Sequence, residues 1–199
     1  PVRNLDEANQ VVDKLCTYID DKVPGKWKSQ ILFLADDGDH GLHVETAEAG
    51  AERLRTKNKD FIVNKLYLDA YTQEVNAAGE SYPLAKNQFD NFINEGMLFF
   101  NYSGHGGYNN ITNELFMRTN DIRRMNNVNQ AFWFLATCSF SHFDGGVTSA
   151  GEEAILNPNG GAIGVLSACR TVFAGQNTDL NRNFCDTILG HNNLFNYHM

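Results

Sequence analysis

One histidine and one thiol stand out by their settings. His105 lies in SGHGG, directly after the apolar run MLFFNY, and Cys138 directly follows the apolar run AFWFLAT. Glycines on both sides of His105 remove side chains that would crowd an imidazole, and they let the chain turn with its N–H groups inward. A histidine so placed takes or gives a proton near neutral pH. Alone it signifies little, because a turn histidine bonded to its neighbours is just as common. Cys138 adds a nucleophile, which an imidazole from another strand end can activate or hold as an ion pair. Its neighbours Ser139, Ser141, His142 and Asp144 mark a polar loop, so the thiol belongs at a mouth and not in mid-strand. The order histidine, then cysteine one strand and helix later, fits a cysteine peptidase whose two groups meet in space. Cys169, in ACRTVF, also follows an apolar run and stands as a rival nucleophile or a disulfide partner of Cys138. Cys16 and Cys185 fall within helical patterns, where packing is the ordinary role.

Acids gather at ADDGDHG. Asp36, Asp37 or Asp39 can orient an imidazole through its second nitrogen, as the third group of a triad does. The same residues can chelate a cation, but D-D-G-D lacks the closing glutamate of a calcium loop. A hydrolytic zinc site from His40, His43, His105 or His142 needs three convergent ligands; His40 and His43 read as loop residues, and no HExxH occurs.

These groups need a scaffold. Five continuous apolar runs, ILFLA, FIVNKLYL, MLFFNY, AFWFLAT and GAIGVLSA, read as strands covered on both faces. Helical patterns lie at 6–20, 47–57, 84–95, 149–156 and 175–189. The first has Asn4 or Asp6 as a cap and Val11, Val12, Leu15, Tyr18 and Ile19 on one stripe. Alternation of strand and helix predicts an α/β three-layer sandwich, with a mainly parallel sheet and helices on both faces. Stretches 71–82, 106–113 and 139–148 read as long loops. An open parallel sheet keeps its site outside the carboxyl ends of its strands, so ADDGDHG, SGHGG, TCSFSHFD and ACRTVF share one edge.

The totals narrow the classes. With 199 residues and 42% hydrophobic content, one domain spanning 1–199 has enough material for a core. A formal charge of −8, with neither sign gathered into a block, leaves no nucleic-acid footprint. No run approaches the roughly 18 apolar residues of a membrane helix, which implies a soluble chain with no direct membrane insertion. No signal-peptide pattern opens the chain. The start at Pro1 implies a piece processed or cut from something longer. Four scattered cysteines without a CxxC pair make neither a disulfide scaffold nor a zinc ribbon.

NYSGHGG, LATCSFSHFD, GEEAIL and GGAIGVLSACRTVF, in that order, resemble the catalytic domain of the gingipain family of cysteine peptidases, whose fold is similar to that of caspases. The likeness runs from PVRNLDEANQVVDKL to Leu189. Within the family it is most similar to the signal peptidase or sortase of the type IX secretion system of Bacteroidetes, which processes cargo at the outer membrane. The resemblance implies a caspase-like catalytic subdomain, with the remainder of a parent chain as partner and a protein or peptide as substrate. It implies an extracellular or outer-membrane-associated location on a Gram-negative bacterium. It makes Cys138 the nucleophile, His105 the base or ion-pair partner, and Asp36 the orienting acid, with Asp37 one step away. The oxyanion hole falls to the N–H groups of Gly106 and Cys138, which meets the need for donors aimed at a developing negative oxygen. Ala136, Thr137, Val172 and Phe173 fall to the substrate pocket. No cofactor is required, and a structural calcium is compatible with the family. Arginine-cleaving members place an aspartate at the base of the first specificity pocket; GLHVETAEAG puts Gly41 there, with Glu45 and Glu48 the nearest acids. The alternative is a catalytically silent member that docks a sorting segment or acts as a scaffold, against which the intact Cys138, His105 and Asp36 speak.

Overall fold

Apolar side chains on both faces of a strand demand cover on both sides, and the computed structural model, which describes residues 1–22, 24–77, 79–114 and 116–189, supplies it. In chain order the elements are α1 (Leu5–Asp20), β1 (Gln30–Ala35), α2 (Leu42–Lys57), β2 (Ile62–Tyr67), β3 (Glu74–Asn76), β4 (Gly79–Ser81), α3 (Pro83–Glu95), β5 (Phe99–Ser103), β6 (Gly106–Gly107), β7 (Asn110–Ile111), β8 (Met117–Arg118), α4 (Thr119–Arg124), β9 (Ala131–Ala136), α5 (Ala150–Leu156), β10 (Ala162–Ser167) and α6 (Ala174–Phe184). The main sheet runs β10-β9-β5-β1-β2 with every neighbouring pair parallel.

Side chains alternate across the sheet. Leu32, Leu34, Phe100, Tyr102, Trp133 and Leu135 face α3, α4 and α5, while Ile31, Phe33, Ala35, Phe99, Phe134 and Ala136 face α2 and α6. This is the three-layer α/β sandwich, and all five apolar runs are its strands. Cover on both faces holds for β1, β5 and β9; the edge strands β2 and β10 are only partly buried, because each lacks a neighbour on one side. α6 is clamped to the sheet by a reciprocal amide pair, Asn101 Nδ2 to Asn181 Oδ1 at 2.7 Å and Asn181 Nδ2 to Asn101 Oδ1 at 3.1 Å. Buried amides so paired escape the cost of unmade hydrogen bonds.

Several elements depart from the sequence reading. α1 is capped by Asn4, whose side chain accepts from Glu7 N, yet no α1 residue is buried. Leu5, Val12 and Ile19 point outward, so the apolar stripe is not a core face and Cys16 is exposed. What ties α1 down is Lys14, whose Nζ shares its three N–H donors among the carbonyls of Ala154, Ile155, Asn157 and Gly160 around the end of α5. Cationic donors at a helix carboxyl end complement its unpaired carbonyls. α2 begins five residues before the periodic segment, and the 175–189 pattern divides into α6 and a π-helical turn at Cys185–Leu189. The hairpin β3–β4, the small sheet β6-β7-β8 and α4 occupy stretches without periodic signal. Among the described residues no helix is long and apolar enough to cross a membrane.

Candidate active site

The sheet register sets the spacing of the candidate groups. Ser103 at the end of β5 pairs with Ala35 of β1 and Ala136 of β9. Asp36 therefore lies one residue past the end of β1, while His105 and Cys138 each lie two residues past theirs. The ladder continues into these ends, with Asp36 N donating to Ser103 O at 3.1 Å and Gly104 N to Ala136 O at 3.4 Å.

Asp36 is buried beneath this edge, 1% exposed. Its Oδ2 accepts from the main-chain N–H of His105 at 3.0 Å and lies 3.4 Å from the Tyr102 hydroxyl, and its Oδ1 accepts from Asp37 N at 3.0 Å. Tyr102 also donates to His105 O at 2.6 Å and accepts from Thr112 N at 3.2 Å. The peptide of His105 is thus gripped at both its N–H and its C=O. Burial pushes the Asp36 carboxyl up to about 7 against the His105 amide, with Glu114 and Asp37 adding repulsion. Asp37 accepts from the Tyr82 hydroxyl. Glu114 is buried too, and its Oε2 has no hydrogen-bond partner.

The contact that Asp36 makes is with the main chain of His105, not with its ring. The carboxylate beside the ring is Asp39, whose Oδ1 is 3.6 Å from His105 Nε2 and whose Oδ2 is 3.4 Å from His43 Nε2. The two imidazoles meet edge to face at 5.1 Å. His43 is a buried residue of the first turn of α2, not a loop residue, and burial lowers its pKa, with His105 adding to the shift and Asp39 opposing it. Asp39, His40 and Gly41 have φ of 54°, 55° and 85°, a left-handed turn that delivers the chain into α2. Gly38 is required for space, since a Cβ there would lie 2.9 Å from His105 Cδ2.

Gly106 has a second role besides freedom of the backbone. A Cβ at this position would stand 2.5 Å from Thr137 Oγ1, so only glycine lets β6 lie against the end of β9 beside Cys138. Beyond the thiol the chain turns through Ser139 at φ 54°, a conformation costly for a non-glycine residue. Ser139 N donates to Arg170 O at 3.1 Å, and Arg170 forms a bidentate pair with Asp144 at 2.8 and 2.5 Å. These bonds hold the loop after β9 to the loop after β10. The Cys138 Sγ lies 3.7 Å from Val172 O.

The expected pocket residues divide. Val172, whose carbonyl faces the thiol, is half-buried and Phe173 is exposed, whereas Ala136 and Thr137 are buried. Gly41 is the residue before α2. Glu48 is bound to Lys65 Nζ at 2.9 Å and to the Tyr67 hydroxyl at 2.8 Å, which ties it to β2; Glu45 is exposed. All four cysteines are free, and Cys185 is buried, with its thiol pushed up to about 12 by that burial. Two clusters among the described residues bring metal-ligating atoms within 4.8 Å of one another: Asp39, His43 and His105, and Asp36, Asp37 and Glu114. Tyr102 and Glu114 carry no motif in the sequence; the hydroxyl at the end of MLFFNY is the one signal that a buried polar group closes that strand.

The model for peptidase family C25 matches residues 1–199. Among solved structures, the Arg-specific cysteine proteinase gingipain R (RgpB) is similar at a TM-score of 0.73 and 14% identity, over 94% of this chain and 43% of that one. The complex of Porphyromonas gingivalis RgpB pro- and mature domains gives 0.69 at 15% identity, over 92% and 44%. A third structure, described as a protease, gives 0.71 at 16% identity, over 91% and 38%. The chain spans less than half the length of each, and at these identities the likeness is one of fold. Comparison with curated proteins returned no match. Strand ends that carry a histidine, a thiol and an acid on one parallel sheet, together with a family model that fits from the first residue to the last, make this chain a member of peptidase family C25, the gingipain family of cysteine peptidases.

Proposed function

We propose that this chain is the catalytic portion of a cysteine endopeptidase, with Cys138 as nucleophile and His105 as its proton partner. The observation that carries the reading is the register: β5 and β9 are adjacent, and His105 and Cys138 lie equally far past a paired Ser103 and Ala136. In the reaction, the Cys138 thiol passes its proton to His105, and its sulfur attacks the peptide carbonyl and forms the S–C bond. The N–H groups of Gly106 and Cys138 receive the oxyanion. His105 gives its proton to the departing amine as the C–N bond breaks. Water or an amine then attacks the thioester, His105 takes its proton, and the S–C bond breaks to release the Cys138 thiolate, which regains the proton from His105. Asp36 acts as a positioning residue, through the His105 main chain. Asp39 is the acid that faces the His105 ring.

Protein cargo of a type IX secretion pathway at a Gram-negative cell surface is the substrate class that the sequence motifs favour, and a longer parent chain is the natural partner. The first specificity pocket is read as lacking a fixed acid, because Gly41 has no side chain and Glu48 is committed to Lys65 and Tyr67. A structural calcium would be held by Asp36, Asp37 and Glu114, an all-oxygen set with one unpartnered buried oxygen, and would offset their mutual repulsion.

Alkylation with an iodoacetamide probe tests the dyad. Cys138 is expected to react at least tenfold faster than Cys169, and His105→Ala is expected to remove that advantage. Equal rates at the two thiols, with no effect of His105→Ala, would identify a silent module instead.

A further inference from the structure

We propose that Asp39, His43 and His105 form a site for a tetrahedral transition-metal ion of the zinc class, and that its occupation switches the peptidase off. The switching half rests on the proposed role of His105; the site itself does not.

The donor set is the first ground. Two imidazole nitrogens and one carboxylate suit zinc and its neighbours rather than calcium or magnesium, which prefer oxygen alone. The spacing is the second. Two ligands each about 2.1 Å from a tetrahedral metal stand about 3.4 Å apart. Asp39 Oδ2 is 3.4 Å from His43 Nε2, and Asp39 Oδ1 is 3.6 Å from His105 Nε2. All three donors already lie within 4.8 Å of one another.

The third ground is an unmade bond. His43 is buried, its side chain 8% exposed, and its Nε2 has no hydrogen-bond partner although it points at this cluster. Orphaned buried polar atoms are costly and rare, and a metal ion would satisfy this one. Room for the ion is kept by Gly38, where a Cβ would stand 3.0 Å from His105 Nε2 and 3.7 Å from His43 Cδ2. Solvent reaches the set through the side chains of His105 and Asp39, 40% and 46% exposed, so a water can complete the coordination.

The consequence for catalysis follows from the imidazole itself. A neutral imidazole that gives its Nε2 lone pair to a metal keeps its proton on Nδ1, so neither nitrogen can accept another. Whichever nitrogen serves Cys138, a metal-bound His105 cannot take its proton. Removal of the metal restores the base without any change of fold.

The metal-stripped full chain, titrated with Co²⁺, tests the site independently of activity. Visible d–d bands of four-coordinate Co²⁺ are expected at one equivalent, displaced by Zn²⁺, and weakened at least tenfold in both His43→Gln and Asp39→Asn. Asp39 is exposed, so the second variant answers if the first fails to fold. In parallel, Zn²⁺ is expected to slow iodoacetamide labelling of Cys138 at least tenfold in the wild type and far less in the two variants, each relative to its own zinc-free rate. Absent bands, bands unchanged in both variants, or bands lost only on Cys138→Ser would overturn the site. Bands that behave as expected while labelling ignores Zn²⁺ would overturn the switch. Cys138 that shows no enhanced labelling even without metal sinks the peptidase reading and the switch with it, and leaves the Co²⁺ spectrum to decide the site.

Discussion

Asp36 and Asp39 sit three residues apart on one loop and live in opposite surroundings. Asp36 is 1% exposed and spends its oxygens on main-chain N–H groups of the scaffold. Asp39 is 46% exposed and faces two imidazole rings. Below the edge lie buried Asp36 and Tyr102, which hold the His105 peptide, with half-buried Asp37 and buried Glu114 beside them. Above it lie the exposed Asp39 and His105 side chains, with the buried ring of His43 against them. The difference teaches that contact with the His105 main chain and contact with its ring are divided between two acids, one buried and fixed by the scaffold, the other exposed.

The division is broken if changes in the upper layer cost stability and changes in the lower layer leave it alone. His105→Ala has the largest expected effect, a loss of about 10²- to 10⁴-fold in kcat/KM against a peptide ester, as removal of a general base or acid gives. Its Tm should stay within about 2 °C of wild type, since partly exposed substitutions alter stability by about 0.5 kcal/mol. A large fall in Tm would show that the ring is structural. Gly104→Ala attacks the lower layer, because its Cβ would stand 2.2 Å from Tyr102 Oη and 2.5 Å from Asp36 Cβ. Overpacking of this kind costs about 1 to 3 kcal/mol, read as a lower urea midpoint at constant slope.

Asp36→Asn sharpens the contrast through pH. With its folded pKa raised from 3.8 to about 7, Asp36 binds its proton more tightly in the folded state. Its contribution to stability is full below about pH 4 and is lost as the pH rises to about 7. Wild type minus variant in urea-unfolding free energy should therefore fall across that window and flatten above it; parallel profiles would rule out a buried, titrating Asp36. The smallest effect concerns Glu114. Calcium is expected to raise the wild-type Tm by a few degrees and to do less in Glu114→Gln, with no calcium dependence in either pointing to a shared proton in place of a cation.

The sheet was legible because its strands are continuous apolar runs, a signal that survives without knowledge of partners. α4 and the small strands β6, β7 and β8 were not, because two-residue strands and a six-residue helix carry no periodicity to read. The stripe on α1 illustrates the opposite error. Periodicity identifies an apolar face without saying what covers it, and Lys14, a charged residue, makes the inward bonds. His43 escaped as a helical residue because α2 opens after three left-handed residues, before its apolar repeat starts. On the candidate site, SGHGG and the position of Cys138 marked the two strand ends, but the glycines read as freeing an imidazole prove to be sites of close approach, to Tyr102 and Asp36 at Gly104 and to Thr137 at Gly106.

By itself the sequence determined the chemistry available at the carboxyl edge: two thiols and one histidine after apolar strands, acids after another, and glycines on both sides of the histidine. Only the tertiary structure decided which acid meets the ring and which meets the main chain. Residues past a strand end take their directions from the register of the neighbouring strands and from the turn that follows. A shift of one position exchanges the two faces of a strand, so spacing within ADDGDHG does not distinguish Asp36 from Asp39 until β1, β5 and the start of α2 are in place.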